Sequence, residues 1–145
     1  MSNTPQVSII ITTWNTRALV QQALRSIIGH PPKVSFEIIV VDNASDDGSA
    51  EMIARSFPDV RLIKNVRNEG YARGNNQGVA AAKGEVVLLL GSDVVVIDES
   101  LQKMFDYLSS HAEAGAVSCR LLNPDRTAQQ SCRRFPTVRD AVLTY

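Results

Sequence analysis

Polar side chains follow three apolar stretches of this sequence, each at the point where the apolar run stops. Residues 7–12 are followed by Trp14 and Asn15, residues 36–41 by Asp42 and Asn43, and residues 86–90 by Gly91, Ser92 and Asp93. Asp93 is the most informative, because apolar segments flank it on both sides. A carboxylate in such surroundings costs several kcal/mol unless a cation or several hydrogen-bond donors compensate it. The pattern therefore predicts a metal or a polar ligand at Asp93.

The chemistry of these side chains suits a nucleotide sugar, with Thr12 beside them. Asp42 can accept a hydrogen bond from a pyrimidine N–H or a ribose hydroxyl, and Trp14 offers a ring on which a base can stack. Asp93 can hold a divalent cation against a diphosphate. Simpler explanations stay open: Asp93 can start a turn, Asp42 and Asn43 can form an Asx turn, and Trp14 can pack in the core. The shared position at strand ends favours the ligand.

The elements that must position these residues alternate between strand and helix. Apolar runs predict strands over 7–12, 36–41, 60–63, 85–90 and 116–122. The spacing of apolar residues predicts helices over 19–28, 53–57 and 101–108, and two further helices are expected over the small residues 71–82 and over 133–145. This order predicts an α/β fold with a mainly parallel, Rossmann-like sheet and helices on both faces. The continuous apolar run before Asp93 predicts a central strand buried on both faces. Ligands of such sheets bind beyond the carboxyl ends of the strands.

Length and composition narrow the class of protein. The chain has 145 residues and no net charge, which suits one globular domain and argues against nucleic acid as a partner. The two cysteines, Cys119 and Cys132, lack metal or redox spacing, and the N-terminus lacks a signal peptide, so we expect reduced thiols in a cytoplasmic protein. No apolar run reaches the roughly 18 residues of a membrane span.

Charge is unevenly distributed along the chain. From residue 115 onward there are five arginines and two aspartates, which makes this end basic. A basic segment can meet a phosphate or an anionic membrane surface, so peripheral contact with the inner face of a membrane is one interpretation. A solvated face is the other.

Other nucleotide-binding and hydrolase signatures are missing. The glycines at 70, 74 and 78 do not have G-x-G-x-x-G spacing, and neither a Walker A loop nor a G-x-S-x-G elbow occurs. A sugar-nucleotide pyrophosphorylase would need a glycine-rich and basic loop after the first strand, where this sequence has Thr13, Trp14 and Asn15.

Taken together, five segments resemble a known family. They are residues 7–15, 40–49, 68–78, 88–93 and 133–137. In this order they resemble the N-terminal nucleotide-sugar-binding region of GT-A glycosyltransferases of family 2, in particular the bacterial rhamnosyltransferase-like branch. The resemblance covers nearly the whole chain.

The resemblance implies a GT-A fold and an inverting transfer of a sugar from a UDP- or dTDP-sugar to an acceptor hydroxyl, in polysaccharide or cell-envelope glycan synthesis. The acceptor would be a glycan or a lipid-linked sugar, and the sequence leaves an oligomer open. Asp93 would match the last acid of the D-x-D motif and hold Mg²⁺ or Mn²⁺. The implied nucleotide-sugar-binding residues are Thr12, Trp14, Asn15, Asp42, Asn43, Asn68, Gly70 and Asn76.

Two departures from the family pattern accompany the resemblance. Gly91 stands where the motif has Asp or Asn, so a polar side chain near the metal or the ribose is missing. Family members usually continue further, so we expect residues 1–145 to be a single donor-binding domain without its acceptor-binding part. The general base would lie beyond residue 145, and this chain alone would be weakly active or inactive. A non-catalytic nucleotide-sugar-binding or regulatory domain is the alternative.

Overall fold

The computed structural model describes residues 4–131, in which parallel strands alternate with helices. The strands are β1 (Val7–Thr13), β2 (Phe36–Asp42), β3 (Arg61–Lys64) and β4 (Val86–Gly91); the helices are α1 (Arg17–Gly29), α2 (Ser49–Ser56), α3 (Tyr71–Ala81) and α4 (Ser100–Ser110). The predicted α/β fold with a parallel sheet is confirmed.

The strands lie in the order β3-β2-β1-β4, and their register aligns the carboxyl ends that the sequence singled out. Thr13 on β1 lies opposite Asp42 on β2. On the other side of β1, Thr12 lies opposite Gly91 on β4. Because all the strands run in the same direction, these residues share one edge of the sheet, as predicted.

Alternating side chains of β1 face two different layers of helices. Ile9 and Ile11 belong to the main apolar core, with residues of α1, α2 and α4 such as Leu24, Ile53 and Leu101. The opposite face of β1 is covered by α3. The expected helices on both faces of the sheet are therefore present.

Two glycines allow α3 to lie directly on β1. A Cβ atom at Gly78 would lie 2.3 Å from Cγ2 of Ile10, and one at Gly74 would lie 2.5 Å from Cγ2 of Thr12. Real Cβ atoms do not approach other carbons so closely, so any larger residue must push the helix or the strand away. The small residues of this helix thus serve close packing on the sheet.

The expectation that β4 is a central strand, buried on both faces, is wrong for the described residues. β4 ends the described sheet and pairs with β1 alone, and its side chains alternate in burial. Val87 is 38% exposed and Leu89 is 50% exposed. The physical reason is that α3 packs on β1 and β2 and leaves this face of β4 open. A run of apolar residues indicates a strand, but it does not show whether helices cover both of its faces.

The strand expected over 116–122 is also absent from the described residues. This stretch instead leads into a hairpin over 121–129, in which Gln129 N donates to Leu121 O at 2.8 Å and Asn123 N donates to Thr127 O at 2.9 Å. The end of the stretch thus pairs within the hairpin and not with the sheet. The helix expected over 133–145 lies outside the described residues. In the part of the chain that the structure describes, no helix has the length and apolar character needed to cross a membrane.

Candidate functional site

The loops that follow β1, β2 and β4 are tied together by hydrogen bonds. Asn15 N donates to Ser45 Oγ at 3.0 Å, and Asp46 N donates to Asn15 Oδ1 at 2.9 Å, so the loops after β1 and β2 hold each other. Thr16 Oγ1 donates to Ser92 Oγ at 3.2 Å, which links the loop after β1 to the loop after β4. The three predicted loops therefore form one continuous surface.

Asp42 is the most unusual side chain on this surface. It is 1% exposed, at the carboxyl end of β2. Its Oδ2 accepts a hydrogen bond from Ser45 N at 3.1 Å, whereas its Oδ1 has no partner among residues 4–131 although the atom is buried. A buried polar atom without a partner costs about 1–3 kcal/mol, and more when it is charged. An Asx turn, the alternative, would bond Asp42 to the N–H two residues on; the bond observed reaches Ser45, three residues on, and uses only one of the two oxygens.

Asn75 on α3 joins the site although the sequence did not single it out. It is buried, and its Oδ1 accepts a hydrogen bond from Thr12 Oγ1 at 2.9 Å. Its neighbour Asn76, which was predicted instead, is exposed. The signal in the sequence was its spacing of three residues from Gly78, which places both on the helix face that meets the sheet.

A network of amide side chains fixes the start of α3 against β2. Asn43 Nδ2 donates to the carbonyl oxygen of Gly70 at 3.2 Å. Asn65 Nδ2 donates to Asn43 Oδ1 and to Gln77 Oε1, both at 2.8 Å. Asn43 is buried, so these bonds satisfy an amide that would otherwise be costly to bury. Asn43 therefore lies in the site as a residue that positions α3.

Other predicted residues lie on the open surface of the same edge. Trp14 is 54% exposed, which rules out the alternative that it packs in the core. Asn68 and Gly70 are exposed at the start of α3, where Gly70 N donates to Asn68 Oδ1 at 2.8 Å. Gly70 has φ +82°, a conformation that favours glycine.

Asp93 lies on the same surface, but the expected burial of its carboxylate is wrong. The residue is exposed, because β4 ends the described sheet. Its side chain turns back over the end of the strand: a Cβ atom at Gly91 would lie 2.6 Å from Asp93 Oδ1. Gly91 is the neighbour of Thr12 across the sheet, so the carboxylate stays at the predicted edge. Within residues 4–131, no group of three His, Cys, Asp or Glu side chains is placed to hold a metal by itself.

A further carboxylate, Asp47, stabilises the loops around the site. Its Oδ2 accepts from Arg17 N at 2.8 Å, and its Oδ1 accepts from Ser49 N at 3.0 Å and from Ser49 Oγ at 2.5 Å. Arg17 and Ser49 are the first residues of α1 and α2, so one carboxylate caps two helices. Burial raises the pKa of Asp47, but hydrogen bonds from the Ser49 hydroxyl and from the backbone of Arg17 and Ser49 outweigh it, and the pKa lies below its ordinary value.

We expect Asp47→Asn to lower the free energy of unfolding at pH 7 by about 1–2 kcal/mol, because the two helix starts lose a charged cap. A carboxyl whose pKa is lower in the folded state stabilises the fold above its unfolded value of about 3.9, and this contribution is lost as the pH falls through the folded pKa. Urea denaturation of both proteins between pH 7 and pH 2 measures the difference. Asp46→Asn, at an exposed neighbour, is the control. A difference that stays constant down to the lowest pH would contradict the assignment.

Comparison with models of protein families identifies the family of this chain. The model described as Glycosyl transferase family 2 matches residues 8–138. The chain therefore belongs to glycosyltransferase family 2.

Curated relatives of this chain include two proteins of polysaccharide biosynthesis. The O-antigen biosynthesis protein RfbC of Myxococcus xanthus is 30% identical over 130 residues, which cover 88% of this chain and 10% of RfbC. The succinoglycan biosynthesis protein ExoO of Rhizobium meliloti is 32% identical over 104 residues, which cover 70% of this chain and 29% of ExoO. The chain thus spans less than a third of the length of either relative.

Solved structures of glycosyltransferases share the fold. The mannosyltransferase PcManGT of Pyrobaculum calidifontis, solved in complex with GDP-Man and Mn²⁺, has a TM-score of 0.73 and 29% identity over 83% of this chain and 36% of its own. TarS 1–349 of S. aureus, solved in complex with UDP, has a TM-score of 0.67 and 25% identity over 74% of this chain and 33% of its own. The fold is therefore the GT-A fold that the sequence predicted.

Proposed function

We propose that this chain is the donor-binding domain of an inverting glycosyltransferase that moves a sugar from a UDP- or dTDP-sugar to an acceptor hydroxyl in the synthesis of a polysaccharide or cell-envelope glycan. We also propose that residues 1–145 form one such domain, of the rhamnosyltransferase-like branch. The observation that carries the proposal is the buried oxygen of Asp42, which has no hydrogen-bond donor among the described residues.

The nucleoside explains this oxygen best. A pyrimidine N–H or a ribose hydroxyl would supply the donor that Asp42 Oδ1 lacks, and would remove the cost of burying it alone. Trp14 follows β1 on the same edge and exposes about half of its surface, so its ring is free to stack on the base. Asn15, with φ +52° and bonds to the loop after β2, holds this loop in shape. The presence of UDP in TarS and of GDP-Man in PcManGT supports a nucleotide as a ligand of this chain.

The diphosphate would lie between the start of α3 and Asp93. The first turn of a helix presents unpaired N–H groups and a positive dipole end, which favour an anion. α3 has eleven residues and begins at this edge, where Asn43 holds Gly70 in place. Asn68 and Gly70 would border the diphosphate and the sugar, and Asn76 would lie further along the same helix.

Asp93 fits a divalent cation that is shared with the diphosphate. Mg²⁺ sites of this kind commonly use one or two carboxylates together with substrate phosphates and water. Residues 4–131 do not offer an all-protein metal cage, so a shared ion fits them better than a structural one. When bound, Mg²⁺ or Mn²⁺ would neutralise the charge that develops on the diphosphate as it leaves.

In the proposed reaction, an acceptor hydroxyl attacks the anomeric carbon from the side opposite to the diphosphate, which inverts the configuration. The chain's own residues bind and orient the donor: Asp42 holds the nucleoside and Asp93 faces the leaving group. A general base would remove the proton of the hydroxyl. Its predicted location beyond residue 145 stays a prediction, as does the low activity of this chain alone.

The test of nucleotide binding is calorimetry of UDP and dTDP with Asp42→Asn. This change keeps the shape of the side chain, but it exchanges one accepting oxygen for an NH₂ group and removes the negative charge. We therefore expect the affinity for UDP and dTDP to fall about 10- to 100-fold. Asp46→Asn is the matched control, because Asp46 is exposed and uses only its backbone N–H in the site. Equal affinity of Asp42→Asn and the unchanged protein would overturn the proposal. GDP serves as a third ligand, because PcManGT was solved with GDP-Man.

A non-catalytic nucleotide-sugar-binding domain is the second candidate, and Gly91 favours it. Glycine supplies no polar side chain where the family motif has Asp or Asn, and Asp93 is more exposed than expected. Both candidates predict nucleotide binding, so the discriminating measurement is release of free sugar or transfer from a UDP- or dTDP-sugar by the full-length protein in the presence of Mn²⁺. Turnover that is lost in Asp93→Ala excludes the non-catalytic candidate.

A further inference from the structure

Asn65 connects the sheet below the proposed nucleoside contact with the start of α3. It follows β3 directly and is half-buried. Its backbone N–H donates to the carbonyl oxygen of Asp42 at 2.8 Å, which continues the parallel pairing of β3 with β2. Asp42 is the residue whose buried Oδ1 is proposed to accept from the nucleoside. The main chain of Asn65 is therefore fixed to the same strand end that carries the nucleoside contact.

The side-chain amides of Asn43, Asn65 and Gln77 form one hydrogen-bonded set, which we call the amide network. The carbonyl oxygen of Gly70 can only accept, so Asn43 turns Nδ2 toward it and Oδ1 toward Asn65. Asn65 Nδ2 then donates one hydrogen to Asn43 Oδ1 and the other to Gln77 Oε1. Gln77 Nε2 returns a bond to Asn65 Oδ1 at 3.1 Å. The central amide of Asn65 thus sets the direction of the other two.

The amide network holds the first carbonyl group of α3. The oxygen of Gly70 accepts from Gly74 N at 3.0 Å, which is the first hydrogen bond of the helix, and from Asn43 Nδ2 at 3.2 Å. A Cβ atom at Gly74 would lie 3.4 Å from the same Nδ2, so Asn43 is enclosed between the sheet and the helix. The network therefore fixes where the first turn of α3 lies relative to β2.

We propose that Asn65 is a positioning residue for the diphosphate and acts through Asn43 and Gly70 on the first turn of α3. This inference rests on the proposed function, because it assumes that the N–H groups of this turn meet the diphosphate. Asn65 does not touch the donor itself. Its backbone is bonded to Asp42 and its side chain to the amide network, so it keeps the diphosphate part of the site in register with the nucleoside part.

Loss of the amide network should act on the start of α3 and not on the whole helix. The packing of Gly78 against Ile10 holds α3 on β1 at its second turn, independently of the amides. The nucleoside contacts of Asp42 and Trp14 belong to the strand ends and not to α3. A protein without the network should therefore recognise a nucleoside as before and a nucleoside diphosphate less well.

The test compares uridine with UDP in Asn65→Leu, which keeps the branched shape of the side chain but removes its amide. Trp14 is the single tryptophan of the chain and lies where the base is proposed to stack, so its fluorescence follows both titrations. We expect the affinity for UDP in the presence of Mn²⁺ to fall about tenfold, because the hydrogen bonds from α3 to the diphosphate lose their alignment, whereas the affinity for uridine should change less than about twofold.

A second variant, Gln77→Met, removes the support of Asn65 but leaves the bond from Asn65 to Asn43 in place. We expect a smaller loss of UDP affinity, about threefold, again without a change for uridine. Gln130→Met, at an exposed glutamine away from the network, is the matched control and should bind both ligands as before. Equal weakening of uridine and UDP in Asn65→Leu would overturn the inference, because it would indicate a general structural role. Unchanged UDP affinity in both variants would overturn it too.

Hydrogen exchange of the protein without nucleotide tests the hold on α3 directly. The amide of Gly74 bonds the carbonyl oxygen that the network fixes, so we expect it to exchange about tenfold faster in Asn65→Leu, whereas the amides of β1 should not change. An unchanged rate at Gly74 would overturn the inference.

The titrations also separate this inference from the proposed function. If the unchanged protein binds neither uridine nor UDP, the proposed function fails and the role of Asn65 toward the diphosphate fails with it. If the unchanged protein binds UDP and Asn65→Leu binds it equally well, only the role of Asn65 fails.

Discussion

Replacement of Asp93 by alanine should lower the affinity for UDP in the presence of Mn²⁺ about 100-fold, to the level measured without metal. Asp93 is the carboxylate proposed to hold the cation, and its Oδ1 lies close to Gly91, which pairs with Thr12 across the sheet. A divalent ion held by both the diphosphate and a carboxylate links the nucleotide to the protein, and this link is lost when the carboxylate is removed. Calorimetric titrations with and without Mn²⁺ measure this difference.

The control for this variant is Asp59→Ala. Asp59 is an exposed aspartate that precedes β3, so it lies towards the amino edge of the sheet and away from the site. The Asp59→Ala variant should leave the UDP titrations with and without Mn²⁺ unchanged. A metal dependence that survives in Asp93→Ala would show that Asp93 does not hold the metal. UDP binding that does not depend on metal in the unchanged protein would contradict the proposed metal site.

The second large effect concerns the contact between α3 and β1. We expect Gly78→Leu to lower the free energy of unfolding by about 3 kcal/mol, because overfilling a packed interior costs this much. Even the Cβ atom would lie 2.3 Å from Cγ2 of Ile10, and Ile10 is fully buried and has no room to move. Thermal denaturation should show a Tm about 10 °C lower.

The matched control is Ala80→Leu, two residues further along the same helix at an exposed position. It adds a similar side chain without a buried contact and should change stability by less than about 0.5 kcal/mol. Equal stability of Gly78→Leu and Ala80→Leu would mean that α3 does not rest on β1 as described.

Most strands and helices of the fold could be predicted from local sequence patterns. The strands before Asp42 and Asp93 follow from apolar runs, the helix over 101–108 follows from periodicity, and the parallel order places the strand ends together. The position of β4 in the sheet could not be predicted, because an apolar run such as 86–90 looks the same in sequence whether helices cover one face of the strand or both. The wrong expectation that Asp93 is buried follows from that one error.

The residues of the candidate site also differ in whether local sequence reveals them. Asp42 could be predicted as a candidate site residue, since a carboxylate directly after a buried strand has few explanations. The contact of Asn75 with Thr12 joins residues far apart in sequence, and only the packing of α3 reveals it. Asp47 had a local signal, because an acidic side chain near the start of a helix is favoured by the positive end of the helix dipole. Its bond to the start of α1 depends on the tertiary fold.

A crystal structure of the chain with UDP and Mn²⁺, with anomalous scattering collected for manganese, tests the central claim most directly. The proposed function predicts an anomalous peak between Asp93 and the diphosphate, the base against Trp14, and a hydrogen bond from the nucleoside to Asp42 Oδ1. A nucleotide bound elsewhere, with Asp42 Oδ1 still lacking a donor from the ligand, would contradict it.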